Sequence, residues 1–79
     1  MNIILKGDSM KINGKYKHFK GNEYIVLGVA KHSETLEEYV VYARVDDPTQ
    51  MWVRAKAMFL EQVQVGERMV ARFEFIGKA

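Results

Sequence analysis

Two groups of residues in this chain have the types and spacing to do chemistry. His32, Ser33 and Glu34 set a base, a hydroxyl and a carboxylate in direct succession, and Tyr42, Arg44, Trp52 and Arg54 alternate rings with guanidiniums. The first group has the composition of hydrolytic machinery without its geometry. Neighbours on a strand point to opposite faces, so His32 is poorly placed to activate Ser33. No Gly-x-Ser-x-Gly elbow accompanies them. Ser33 and Thr35 are instead expected to bond turn amides while Glu34 stays in water, and no catalytic residue is assigned. The second group suits recognition. Trp52 and Tyr42 can stack on or anchor a ligand, and Arg44 and Arg54 can pair with phosphate or carboxylate. The structural alternative is a set of cross-strand pairs, Arg44 on Trp52 and Arg54 on Tyr42.

Positioning these residues requires strands. Tyr42–Val45 and Gln50–Arg54 read as a hairpin closed by Asp46-Asp47-Pro48-Thr49. That reading puts Tyr42, Arg44, Trp52 and Arg54 on one face and Val41, Ala43, Val45, Met51 and Val53 on the other, which is assigned to the core. Glu23–His32, rich in Ile, Val and Leu, is a longer strand. With Ile25, Leu27 and Val29 in the core, Val26, Gly28, Ala30 and His32 line the Tyr42–Trp52 face. Gly28 and Ala30 then floor a shallow groove walled by Tyr42, Trp52 and His32. The opposite parity at the 33–38 turn moves His32 away. The expected ligand-binding set is therefore His32, Tyr42, Arg44, Trp52, Arg54, Gly28 and Ala30.

Around this centre, Lys15–Phe19 alternates, with Tyr16, His18 and Lys20 on one side. Lys56–Leu60 is expected to form a 3₁₀ turn carrying Met58 and Phe59 inward. Gln62–Val65 and Met69–Ile76 form a last hairpin around Gly66-Glu67. Short strands at this spacing predict an all-β fold, a small closed SH3-like barrel of about five strands with one short 3₁₀ turn. Residues 13–79 make the single domain, and residues 1–12 are a tail or an added edge strand.

The 79 residues allow one domain whose surface-to-volume ratio leaves thin stability. There is no cysteine, hence no disulfide or thiolate metal cage. Two histidines, separated along the chain, do not make a metal site, and no phosphate-cradling glycine motif occurs, so no metal or cofactor is expected. No apolar run approaches a bilayer span, and a cytoplasmic protein without a membrane partner is the expectation. A net charge of +2 does not by itself imply nucleic acid. Lysines dominate before residue 33, and Lys20, Arg68 and Arg72 read as solvated charges.

The run Tyr16-Lys17-His18-Phe19-Lys20-Gly21-Asn22-Glu23-Tyr24-Ile25-Val26-Leu27-Gly28-Val29-Ala30-Lys31-His32-Ser33-Glu34-Thr35 is distinctive. Together with Val40-Val41-Tyr42, Trp52-Val53-Arg54, Met58-Phe59 and Arg72-Phe73, it resembles a small bacterial family, domain of unknown function 1653. The resemblance covers most of residues 14–76, and His-Ser-Glu-Thr is its most specific segment. It implies an SH3-type barrel and carries no activity with it. Ala55 and Lys56 depart from the proline and leucine usual there. The expected function is a small non-enzymatic module holding a peptide or single-stranded nucleic acid on the aromatic–arginine face. The alternatives are an accessory domain that self-associates as a homodimer through that face, and a small enzyme using His32.

Overall fold

β-branched and aromatic residues at alternating positions, punctuated by Gly and Asn, give successive antiparallel strands. The computed structural model describes residues 10–78. Its strands are β1 (Gly14–His18), β2 (Glu23–Lys31), β3 (Glu38–Arg44), β4 (Asp47–Ala55), β5 (Gln62–Val65), β6 (Arg68–Ala71) and β7 (Phe73–Lys78). A single helical turn, α1 (Lys56–Phe59), joins β4 to β5. Strands β4-β3-β2-β1-β7 form one antiparallel sheet, and β5 and β6 pair separately. Among the described residues no ladder joins β4 to β7, so the sheet is not closed into a barrel. The all-β expectation holds; closure and the count of about five strands do not. The chain before Met10, where most of the expected tail or added strand falls, lies outside the described residues. Met10 itself packs against the core.

The core sits on the concave side of the large sheet. Tyr16, Val26, Val40, Tyr42, Phe59 and Phe73 are its buried members, with Tyr24 packed alongside. Phe59 is fully buried and stacks flat on Phe73, with centroids 4.0 Å apart. Tyr16 and Tyr42 meet Phe59 edge-on at 5.4 and 5.5 Å. Such pairs contribute about 0.5–1.5 kcal/mol each beyond area burial. The two tyrosines can be buried because their hydroxyls have partners: Tyr16 accepts from the Lys11 amide at 3.1 Å, and Tyr42 from Arg54 Nε at 3.3 Å.

This inverts the facing expected from sequence. The aromatic face is the core face; Tyr42 is 4% exposed, whereas Met51 and Val53 are each 62% exposed. Leu27 and Val29, expected inside, are exposed as well. Larger rings fill a concave, coiled sheet better than valines do, and α1 contributes Phe59 to the same side. The turn at Lys56–Phe59 is α-helical and not 3₁₀, and it turns Phe59 inward while Met58 stays exposed.

The β3–β4 connection also moves. It is a turn at Val45 and Asp46, with Arg44 opposite Asp47 and an irregular register before Ala43–Met51. Pro48 therefore lies in β4 and not in a loop. An edge strand tolerates it, because its missing N–H deprives no neighbour.

Candidate functional site

Strand β4 pairs with β3 so that Trp52 lies opposite Tyr42 and Arg54 opposite Val40. On the next strand, Tyr24 lies opposite Arg44. Tyr42, Arg44, Trp52 and Arg54 accordingly share the concave face. Tyr42 is core, but its neighbours run outward to a rim. Trp52 is 39% exposed, 6.1 Å from Tyr42 and 5.9 Å from Tyr24, ring to ring. Arg54 is half-buried, bonded to the Tyr42 hydroxyl, with its guanidinium 5.6 Å from the Phe73 ring. Its stem crosses apolar surface while its head reaches the rim.

Arg44 behaves differently. Its guanidinium clasps Asp46 through two bonds of 3.0 and 2.8 Å. That hydrogen bonding holds the Asp46 carboxyl below its usual range and raises the guanidinium. Arg44 is thus committed to its own turn, and it does not stack on Trp52.

Gly28, Ala30 and His32 do not join this rim. A bulge at Leu27 breaks the β2–β3 register: Val26 lies opposite Tyr42, but Gly28 lies opposite Val41 and Ala30 opposite Tyr39. One inserted residue flips all later side chains to the other face. Gly28 and Ala30 therefore floor no groove beneath Trp52. His32 follows the same parity, with its ring 6.2 Å from that of Tyr39. Its Nδ1 accepts from the amides of Glu34 and Thr35 at 3.1 and 3.3 Å, which caps the exposed 33–35 turn. Among the described residues it has no ionisable hydrogen-bond partner.

The rim is completed instead by residues that sequence reasoning passed over. His18, opposite Phe73, lies 4.9 Å from that ring, 6.5 Å from Tyr24 and 4.6 Å from Phe19. Burial lowers its pKa from the ordinary 6.5, and the charges of Arg54, Arg72 and Lys20 lower it further. Three cations are thus near enough to His18 to disfavour its charged form. Lys20 sits 5.8 Å over the Phe19 ring. Arg72 lies at the break between β6 and β7; its amide bonds Glu61 O and its carbonyl accepts from Phe19. One terminal nitrogen of its guanidinium pairs with Glu61 at 3.0 Å, while the buried Nε has no partner among the described residues. A buried donor without a partner is a cost unless something else accepts from it. The signal for His18 was present in the sequence, since Tyr16 and His18 alternate onto one side; nothing local marks Arg72.

What the arrangement can do is hold flat, anionic groups. It offers ring edges and faces at Trp52, Tyr24, His18 and Phe19, and positive charge from Arg54, Arg72 and Lys20. No three His, Asp or Glu residues are grouped to hold a metal ion among the described residues.

Comparison with known proteins agrees with the sheet. The family model described as "Protein of unknown function (DUF1653)" matches residues 14–75. A crystal structure of a DUF1653 protein from Bordetella bronchiseptica is similar at a TM-score of 0.74 and 35% identity, covering 85% of this chain and 88% of that one. No curated protein matches the chain. The family match takes in the whole concave face, from Gly14 to Phe75, and the chain belongs to the DUF1653 family.

Proposed function

We propose that this protein is a small non-enzymatic binding module, SH3-like with its barrel left open, that holds single-stranded nucleic acid at the Trp52 rim. The observation carrying this reading is that Arg54 and Lys20 lie over Phe73 and Phe19, the two rings that flank His18, beside the partly exposed Trp52. Bases stack on such rings whatever their identity, and phosphates pair with the cations. A peptide has less claim on the site, because an apolar peptide leaves the cations unused.

Trp52 is the only tryptophan, so its fluorescence reports on the site directly. Oligothymidylate is expected to quench it, with an affinity that falls as salt rises. Each phosphate contact adds about 0.7 to the slope of log K against log salt. Arg54→Ala is expected to make that slope shallower by about one such contact. Quenching that ignores salt, or that hexaglutamate produces more strongly, would refute the nucleic-acid reading.

Self-association is the second reading, and the exposure of Met51 and Val53 favours it at the outer face of the sheet instead of the aromatic one. Light scattering at increasing protein concentration separates a dimer from a monomer.

A further inference from the structure

A second concavity adjoins the rim. A groove of about 550 Å³ lies between the end of β1, the β7 strand and the β5–β6 hairpin. Phe19, Val65 and Val70 line it together with Lys17 and Arg68, and Glu74 is the carboxylate among them. Glu74 is the cross-strand neighbour of Lys17, yet no ion pair joins them among the described residues. Lys20, 5.8 Å from the centroid of the lining Phe19 ring, adds a third positive charge nearby. The groove therefore has apolar walls and an excess of cations.

His18 and Phe19 belong to both places. Trp52, Tyr24, His18 and Phe19 form a line of rings with successive centroids 5.9, 6.5 and 4.6 Å apart. That line starts at the exposed edge of β4 and ends inside the groove. Cations lie beside it: Arg54 two residues along β4 from Trp52, Lys20 over the Phe19 ring, and Lys17 and Arg68 in the groove, while Arg72 is paired with Glu61. A ring ladder with charges alongside is the arrangement that follows an extended single strand, where bases stack and the backbone tracks positive charge.

We infer that the two concavities are one continuous track, and that a single strand bound at Trp52 continues past His18 and Phe19 into the groove beside the β5–β6 hairpin. This presupposes that single strands bind at the Trp52 rim. It adds a second contact region, Lys17 and Arg68, and assigns the hairpin a role as one wall of the path.

The test compares a thymidylate tetramer with a dodecamer on the intact protein, following Trp52 quenching across salt concentrations. Overlapping registers raise the affinity of the longer strand but leave its salt slope unchanged, so the slope is the readout. The dodecamer is expected to show a slope steeper by about 1.4, the worth of two further phosphate contacts. The Lys17→Ala, Arg68→Ala double variant is expected to remove that difference; thermal melting checks that it remains folded. Equal slopes for the two lengths in the wild type overturn the track and leave binding at Trp52 standing. A length difference that persists in the folded double variant overturns it too. If neither oligomer quenches Trp52, the single-strand reading fails and the track fails with it. Displacement of the dodecamer by equimolar hexaglutamate assigns the groove to acidic peptide and overturns the nucleic-acid path.

Discussion

At the scale of single residues, His18 is the group whose surroundings make the sharpest claim. Its folded-state pKa lies below 6.5 because of burial and three nearby cations. The folded chain therefore binds this proton less readily than the unfolded chain. Stability is retained above 6.5, declines as pH falls from there toward the folded value, and levels off once both states are protonated. Melting temperatures measured over roughly pH 5 to 8 should show this decline, and His18→Gln should flatten it. An identical profile in the variant would remove the argument. Bound phosphate would offset the cations and favour the imidazolium, so anion affinity should rise as pH falls through the same interval. The glycines separate as clearly. A Cβ on Gly28 meets nothing within 4 Å, whereas one on Gly14 meets Lys11 O at 2.6 Å and Phe75 at 2.9 Å. Gly28→Ala should stabilise by about 0.4–1 kcal/mol through the unfolded chain. Gly14→Ala should destabilise by roughly 1–3 kcal/mol through overpacking. Thermal or denaturant melts of the two variants check both signs.

At the scale of elements, α1 is the smallest piece of secondary structure and contributes the most deeply buried ring. Phe59→Ala should cost about 3–5 kcal/mol, enough to unfold much of the population of so small a domain. Met58→Ala, one residue earlier and exposed, should cost under about 1 kcal/mol. The inverted sheet faces allow an equally direct comparison by isosteric substitution. Val26 is fully buried on the aromatic side and Val53 lies on the outer side. Val26→Thr should destabilise by about 1–3 kcal/mol by burying a hydroxyl, and Val53→Thr should stay within about 0.5 kcal/mol. Urea titrations of the pair would reverse this order if the aliphatic face were the core.

At the scale of the whole molecule, the described residues form a five-stranded sheet curled round one aromatic core, with a separate two-stranded hairpin. The outer face of the sheet carries Met51 and Val53, both exposed, so concentration-dependent association is expected there before it is expected at Trp52. Val53→Lys should suppress any dimer seen by light scattering while leaving Trp52 quenching by oligothymidylate intact. Loss of both together would place the two events on one face. No helix among the described residues is long and apolar enough to cross a membrane.

Alternation was enough to read most of the strands and the sharing of one face by Tyr42, Arg44, Trp52 and Arg54. Period-two patterning is local, and each of these follows from residues close together along the chain. Which face is buried was not local. Two apolar faces, one aliphatic and one aromatic with arginines, compete for the core, and only the curl of the sheet and the arrival of Phe59 decided between them. The bulge at Leu27 leaves no mark beyond a glycine in a strand, yet it carried Gly28, Ala30 and His32 away from Trp52. The Phe19 amide, next to His18, reaches the Arg72 carbonyl across more than fifty residues of chain, a proximity that exists only once β1 and β7 have paired.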